Sequence, residues 1–283
     1  MRKVPRNVTS RRRIIQIINL TRLSISQNPL IWRGVAIEEA ITRLPFLEKQ
    51  TAPPDLGSDL VDFIESFTIA HGLDEQQEFL MYIEKVGFSR ESLLHIYQEI
   101  PTDLYEKVAK TLRYHFTFHR VFAGLGGEDM LNATGLPYLY EAAEDLTCTL
   151  SLGRLKYHKQ SLQMLRSALE AAVIHAYFTV KNIDYDSLTS ALGNIPSMNN
   201  RTTGMLHHLL EKDFMKAVFA DEIRSIYQSL SNAVHSRFPF VNTKFETDDD
   251  RDRLRYWSVQ NQNVCLACIK LLLCVLKFES RGH

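Results

Sequence analysis

Nowhere in this chain do apolar residues run unbroken for the roughly 20 positions a membrane-crossing helix needs. The longest such stretch, Val264–Leu276, is interrupted by Lys270. The N-terminus also lacks an apolar core followed by small residues, so no secretory signal is visible. Cysteine is scarce: Cys148, Cys265, Cys268 and Cys274 are too few, and too apolar in setting, for a secreted disulfide framework. Missing as well are a serine nucleophile elbow, a Walker loop, a strand-based dinucleotide fingerprint and a paired-carboxylate motif, which removes most metabolic enzyme classes. With 45% hydrophobic and 23% charged residues the composition excludes a disordered chain. The expectation is a globular protein with no membrane partner and a cytoplasmic location.

Acid is absent from the first 37 residues, which carry Arg2, Lys3, Arg6, Arg11, Arg12, Arg13, Arg22 and Arg33. The whole chain has 33 basic and 33 acidic residues, so by subtraction 38–283 holds 25 basic against 33 acidic. A basic arm on an acidic body can bind phosphate backbones, and Arg11, Arg12 and Arg13 are its nucleic-acid-binding candidates. The same arm can dock on the protein's own acidic surface or on a neighbouring subunit. Its composition also suits an organelle transit peptide. With Met1 present, the expectation is a leader that is retained.

Helical periodicity dominates what remains. Ser10 caps a segment over 11–25, Asn28-Pro29 breaks it, and Trp32–Leu47 forms a second amphipathic stretch before Pro53-Pro54. Ser58 or Asp59 opens a helix that closes near Gly72. Asp74 opens the next, with Phe79, Leu80, Ile83 and Val86 on one side and Gly87 as its stop. Ser89 and then Pro101-Thr102-Asp103 start two more, the second running to about Phe122. Gly124, Gly126, Gly127 and Gly135 crowd a junction. Because a helix rather than a strand precedes them, they read as a linker and not as a phosphate loop.

Beyond the junction, Leu136–Leu152 is helical and Gly153 punctuates it. Arg154–Val180 follows with Leu162, Leu165, Leu169, Ala172 and Ala176 as one seam. Ala168, Ala171, Val173, Ile174, Tyr177 and Phe178 fill most of its remaining circumference, so this helix must be covered on several sides. Thr202-Thr203 opens a helix to about Phe219, and Asp221-Glu222 opens another that ends on Ser231–Arg237. Acids at 248–250 start a last helix with the seam Leu254, Trp257, Asn261, Val264, Cys268, Leu271 and Val275. The expected class is all-α. It divides into a helical N-terminal region with a basic leader (1–122), a Gly-rich junction and connecting helix (123–153), and an antiparallel α-helical bundle (154–283).

Cys265-x-x-Cys268 has the spacing of half a zinc site, but a partner pair is wanting and both cysteines sit in an apolar helix, so they read as core. His115 and His119 share a helix face with Phe116 where a zinc protease would carry glutamate; they read as surface or boundary histidines. No metal and no cofactor are expected. Arg166 and Glu170, one turn apart, are either an i,i+4 pair or a partly buried functional pair. His235 ends a polar stripe of Arg224, Gln228 and Ser231, beside Asn232 and Arg237.

Two segments, Leu165-Arg166-Ser167-Ala168-Leu169-Glu170 and Leu230-Ser231-Asn232-Ala233-Val234-His235-Ser236, resemble helix motifs of the HEPN superfamily over about Arg154–Phe278. Those proteins are helical bundles found in RNA-cleaving toxins and prokaryotic defence systems. The resemblance implies metal-independent RNA cleavage. His235 would act as general base or acid on the ribose 2′-hydroxyl, and an arginine would stabilise charge developing on phosphate. The implied site set is His235, Asn232, Arg237, Arg166 and Glu170, with RNA as partner and a homodimer as the common assembly. The chain departs from the family where catalytic members place an arginine five to seven positions before the histidine. Leu230, Ser229 and Gln228 stand there instead, and Arg224 lies about 16 Å away along the axis. Arg166, Arg237 or a second copy must then supply the cation. A non-catalytic helical module that binds protein or nucleic acid is the alternative.

Overall fold

A computed structural model describes residues 73–97, 100–125, 136–182, 195–198, 202–235 and 250–279. The helices expected over 11–25, Trp32–Leu47 and 58–72 lie outside the described residues, as do Arg11, Arg12, Arg13 and Arg237. Every regular element that is described is an α-helix: α1 Leu73–Lys85, α2 Arg90–Tyr97, α3 Thr102–Leu125, α4 Leu136–Arg154, α5 His158–Lys181, α6 Met205–Glu211, α7 Ala217–Val234 and α8 Asp250–Glu279. They pack as a bundle, and the all-α class holds.

The helix ends show why these sequences stop where they do. At the end of α1, Phe88 N–H bonds to Ile83 O and Gly87 N–H to Glu84 O, both at 3.0 Å, with Gly87 at φ +73°. This is the paired-bond termination that needs one left-handed residue, closed by apolar contact between Ile83 and Phe88 in the same buried cluster. The same bond pattern closes α4 through Tyr157 to Leu152 and Lys156 to Gly153. It closes α6 through Phe214 to Leu209 and Asp213 to Leu210. There the left-handed residues are Lys156 and Asp213. Without a glycine or proline to mark it, the break after α6 was not visible in the sequence. The helix expected to run to Phe219 therefore stops at Glu211, and its successor begins at Ala217, four residues before Asp221.

As expected, α4 stops beside Gly153, one residue on at Arg154, but the glycine has a second reason. It lies buried inside α4, where a Cβ would collide with the indole of Trp257. Trp257 is held in turn by its Nε1–H donating to Ser161 Oγ at 2.7 Å and by stacking on Phe88 at 5.7 Å. Glycine here permits close approach of α4 to α8.

Helix α5 is the central element, packed against α4, α6, α7 and α8. Its five seam residues and Ala168, Ala171, Val173 and Phe178 are all buried. The seam of α8 is buried throughout, from Leu254 to Val275. Helically continued, Arg251–Val275 has the length and composition of a membrane span, which the unbroken-run criterion missed. However, 78% of its most apolar window is buried within the protein, as in a core helix. On α1 the expected apolar side is only partly used: Phe79 and Ile83 are buried, whereas Leu80 is 58% exposed. Residues from both sides of the glycine-rich junction share one buried cluster, in which Phe79, Leu93, Leu112 and Phe116 meet Leu150, Leu254 and Trp257.

Several polar groups inside the bundle find partners. Asn261 Nδ2 donates to Trp257 O at 2.8 Å and its Oδ1 lies 2.9 Å from His115 Nε2. Thr149 and Ser161 exchange hydroxyl bonds with each other's carbonyls at 3.4 and 3.0 Å. Lys270 Nζ reaches both carboxylate oxygens of Glu222, at 3.0 and 2.8 Å. His115 is fully buried, and His119 is half-buried beside Tyr82 and Phe118. His119 is thus the boundary histidine expected, whereas His115 is a core residue and not the surface or boundary histidine expected. The partner that holds His115, Asn261, comes from a position distant in sequence.

Candidate functional site

The candidate site forms where the middle of α5 meets the end of α7. Helix α7 buries Phe219, Ala220, Ile223, Ile226, Leu230 and Ala233, which turns its polar stripe outward. The helix ends at Val234. His235 caps it with φ −81° and ψ 11°, its backbone N–H bonded to Ser231 O at 3.0 Å, and its side chain exposed.

From α5, Arg166 extends across this end. Its Nη1 lies 3.4 Å from His235 Nε2, its Nη2 donates to Tyr227 Oη at 2.8 Å, and its guanidinium carbon sits 4.9 Å from the Tyr227 ring centroid. An arginine from another helix of the same chain therefore lies beside His235. Both of its hydrogen-bond partners are neutral when His235 is unprotonated, and no carboxylate among the described residues forms an ion pair with it. The result is a half-buried cation, with no ion pair to a described acid, beside a solvent-facing imidazole.

Of the other residues singled out in the sequence, Asn232 lies one turn before His235. Gln228 Nε2 donates to its Oδ1 at 3.0 Å, which points its amide nitrogen away from that bond as a free donor. Glu170 does not pair with Arg166; it belongs to an acidic group on the α4 side. There burial and the charges of Asp145, Glu144 and Glu170 raise the Glu141 carboxyl above its ordinary range. Asp145 is likewise raised, mainly by burial, against a hydrogen bond from Ser167 that lowers it. Arg224 is engaged with Asp221 on the first half of α7, away from His235. Tyr227 was missed in the sequence; four-residue spacing to Ser231 and on to His235 was the available signal.

The other candidates resolve as packing. Cys265 and Cys268 are completely buried, and burial pushes the Cys268 thiol up to about 12 and the Cys265 thiol upward as well. Both are therefore protonated hydrophobes. Among the described residues no group of three or more His, Cys, Asp or Glu side chains is placed to hold a metal ion. His207 and His208 flank Glu211, at 3.2 and 3.9 Å, and His208 also packs edge-on against Tyr177.

Chemically, the pair offers a hydrogen-bonding cation and a titratable nitrogen a few ångströms apart at an open surface. That combination can bind an anionic oxygen and move a proton beside it. No family model, curated protein or solved structure matches the chain.

Proposed function

We propose that the Arg166–His235 pair is a phosphodiester site acting on RNA, in a bundle of HEPN-like type, with the chemistry of a metal-independent endoribonuclease. The observation that carries the reading is the 3.4 Å approach of Arg166 Nη1 to His235 Nε2 at an exposed helix end. A phosphate that displaces the Arg166–His235 contact accepts from the guanidinium, which frees His235 Nε2 to take the proton of the adjacent ribose 2′-hydroxyl. The 2′-oxygen then bonds to phosphorus and the bond to the 5′-oxygen breaks. This leaves a 2′,3′-cyclic phosphate and a 5′-hydroxyl, whose proton His235 or water supplies. Arg166 contributes most where negative charge peaks on the phosphorane. Asn232, its amide nitrogen oriented by Gln228, supplies a further donor one turn away. Because the cation comes from the same chain, a second copy is not needed to complete the pair. A defence or toxin role for such an activity follows from the HEPN-like reading.

The test is cleavage of single-stranded RNA by the full chain in EDTA. His235→Ala should lower the rate by roughly 10²–10⁴-fold and Arg166→Ala by roughly 10²–10³-fold, with the melting temperature of His235→Ala unchanged because the side chain is exposed. Cleavage that persists undiminished in His235→Ala refutes the reading. The alternative, a non-catalytic interaction module, is favoured by Arg166 bridging α5 to Tyr227 as a structural clamp. It expects no cleavage and a lowered melting temperature for Arg166→Ala.

A further inference from the structure

We infer that Tyr227 is a positioning residue that fixes the Arg166 guanidinium so that one amino group faces His235 while its positive charge stays available. This rests on reading Arg166 and His235 as one phosphodiester site. An arginine side chain has several rotatable bonds, and from the middle of α5 its head could sample a wide arc. Two attachments to the same tyrosine remove that freedom. Nη2 donates to the hydroxyl at 2.8 Å, and the guanidinium lies near the ring, 4.9 Å from its centroid. Because the guanidinium is rigid and planar, fixing Nη2 and the tilt of the plane also fixes Nη1, which then points at His235.

The identity of the clamp matters as much as its geometry. An aspartate or glutamate would orient the arginine equally well but would also offset the charge that a phosphate must meet. Glu170 is within one turn on α5, yet no ion pair forms between it and Arg166, and Arg166 Nε is buried with no partner. Among the described residues, orientation therefore falls to a neutral phenol, whose ring face also favours a cation. Tyr227 is held for this by its own packing against the main buried cluster.

The experiment combines Tyr227→Phe and Tyr227→Leu with Arg166→Lys in the full chain, following single-stranded RNA cleavage together with ¹⁵N NMR of the arginine side chains. Tyr227→Phe keeps the ring and loses the hydroxyl. It should lower kcat about tenfold, with KM little changed because the fault lies in alignment. In the Arg166→Lys background the same change should cause no further drop, since the tyrosine acts through the arginine. The two Arg166 Nη signals, distinct in the wild type through hindered rotation, should merge in Tyr227→Leu. An equal drop in kcat with lysine at 166, or Nη signals that stay distinct without Tyr227, would overturn the assignment. If wild-type protein cleaves no RNA, the phosphodiester reading fails, while the NMR comparison still decides whether Tyr227 fixes Arg166.

Discussion

Lowering the pH from 7 to 5 should destabilise this bundle, and the share due to one histidine, His115, can be worked from its surroundings. His115 is completely buried on α3 and bonded to Asn261 Oδ1 at 2.9 Å. Burial, opposed by that bond and reinforced by the neighbouring His119, brings its pKa from 6.5 down to about 3. In the unfolded chain the same imidazole takes up a proton as the pH falls below 6.5; in the folded chain it resists until near pH 3. The unfolded state therefore binds more protons across this window, so stability is complete above about 6.5 and drains away as the pH falls towards 3. For a single group at pH 5 the loss is about 2 kcal/mol. It is insensitive to the folded value provided that value lies below 5. Urea unfolding of the wild type and of His115→Gln at pH 7 and 5 isolates the term, because glutamine can still donate to Asn261 but does not titrate. His119, drawn down to about 4 by burial, and the raised carboxyls of Glu141 and Asp145 are common to both proteins and cancel. The wild type should lose about 2 kcal/mol more than the variant. Equal losses would mean that His115 is not held neutral by the core.

Two further substitutions probe the backbone. Gly153→Ala places a Cβ against an indole that is both hydrogen-bonded and stacked, so the ring cannot swing aside freely. About 1–3 kcal/mol of stability should be lost in chemical denaturation, and a neutral result would show that α4 and α8 can part without penalty. Asp213→Gly does the opposite. Asp213 occupies the left-handed region at φ +50° on an exposed turn, so glycine should relieve strain and stabilise by about 1 kcal/mol. A calorimetric melting temperature raised by about 2–4 °C is expected, and a fall would indicate that the aspartate side chain has a role of its own there.

The periodicity of α5 and α8 was legible because burial all round a helix requires apolar residues all round it, whatever their partners. Ser89 was legible for a local reason: its hydroxyl accepts from Ser92 N–H at 3.3 Å, a bond made within four residues. Gly87 likewise announced the end of α1. The stop after α6 was hidden because Asp213 adopts a conformation that glycine usually marks. Gly153 marked the end of α4, but the reason it is glycine, a ring arriving from residue 257, is a contact that no local pattern contains.

The sequence by itself determined that this protein is helical, which faces of its long helices are buried, and that His235 ends a polar stripe. Those properties follow from the 3.6-residue repeat and from local chain stiffness. It also narrowed the cation for His235 to Arg166, Arg237 or a second copy, without choosing among them. Tertiary structure decided that α5 brings Arg166 to the end of α7, that Tyr227 stands beneath it, and that Glu170 turns to α4 instead. Those outcomes depend on how two packed helices are rotated and shifted against each other. That is fixed by side-chain fit across the whole bundle, and a site made by two residues 69 positions apart inherits its geometry from the fit.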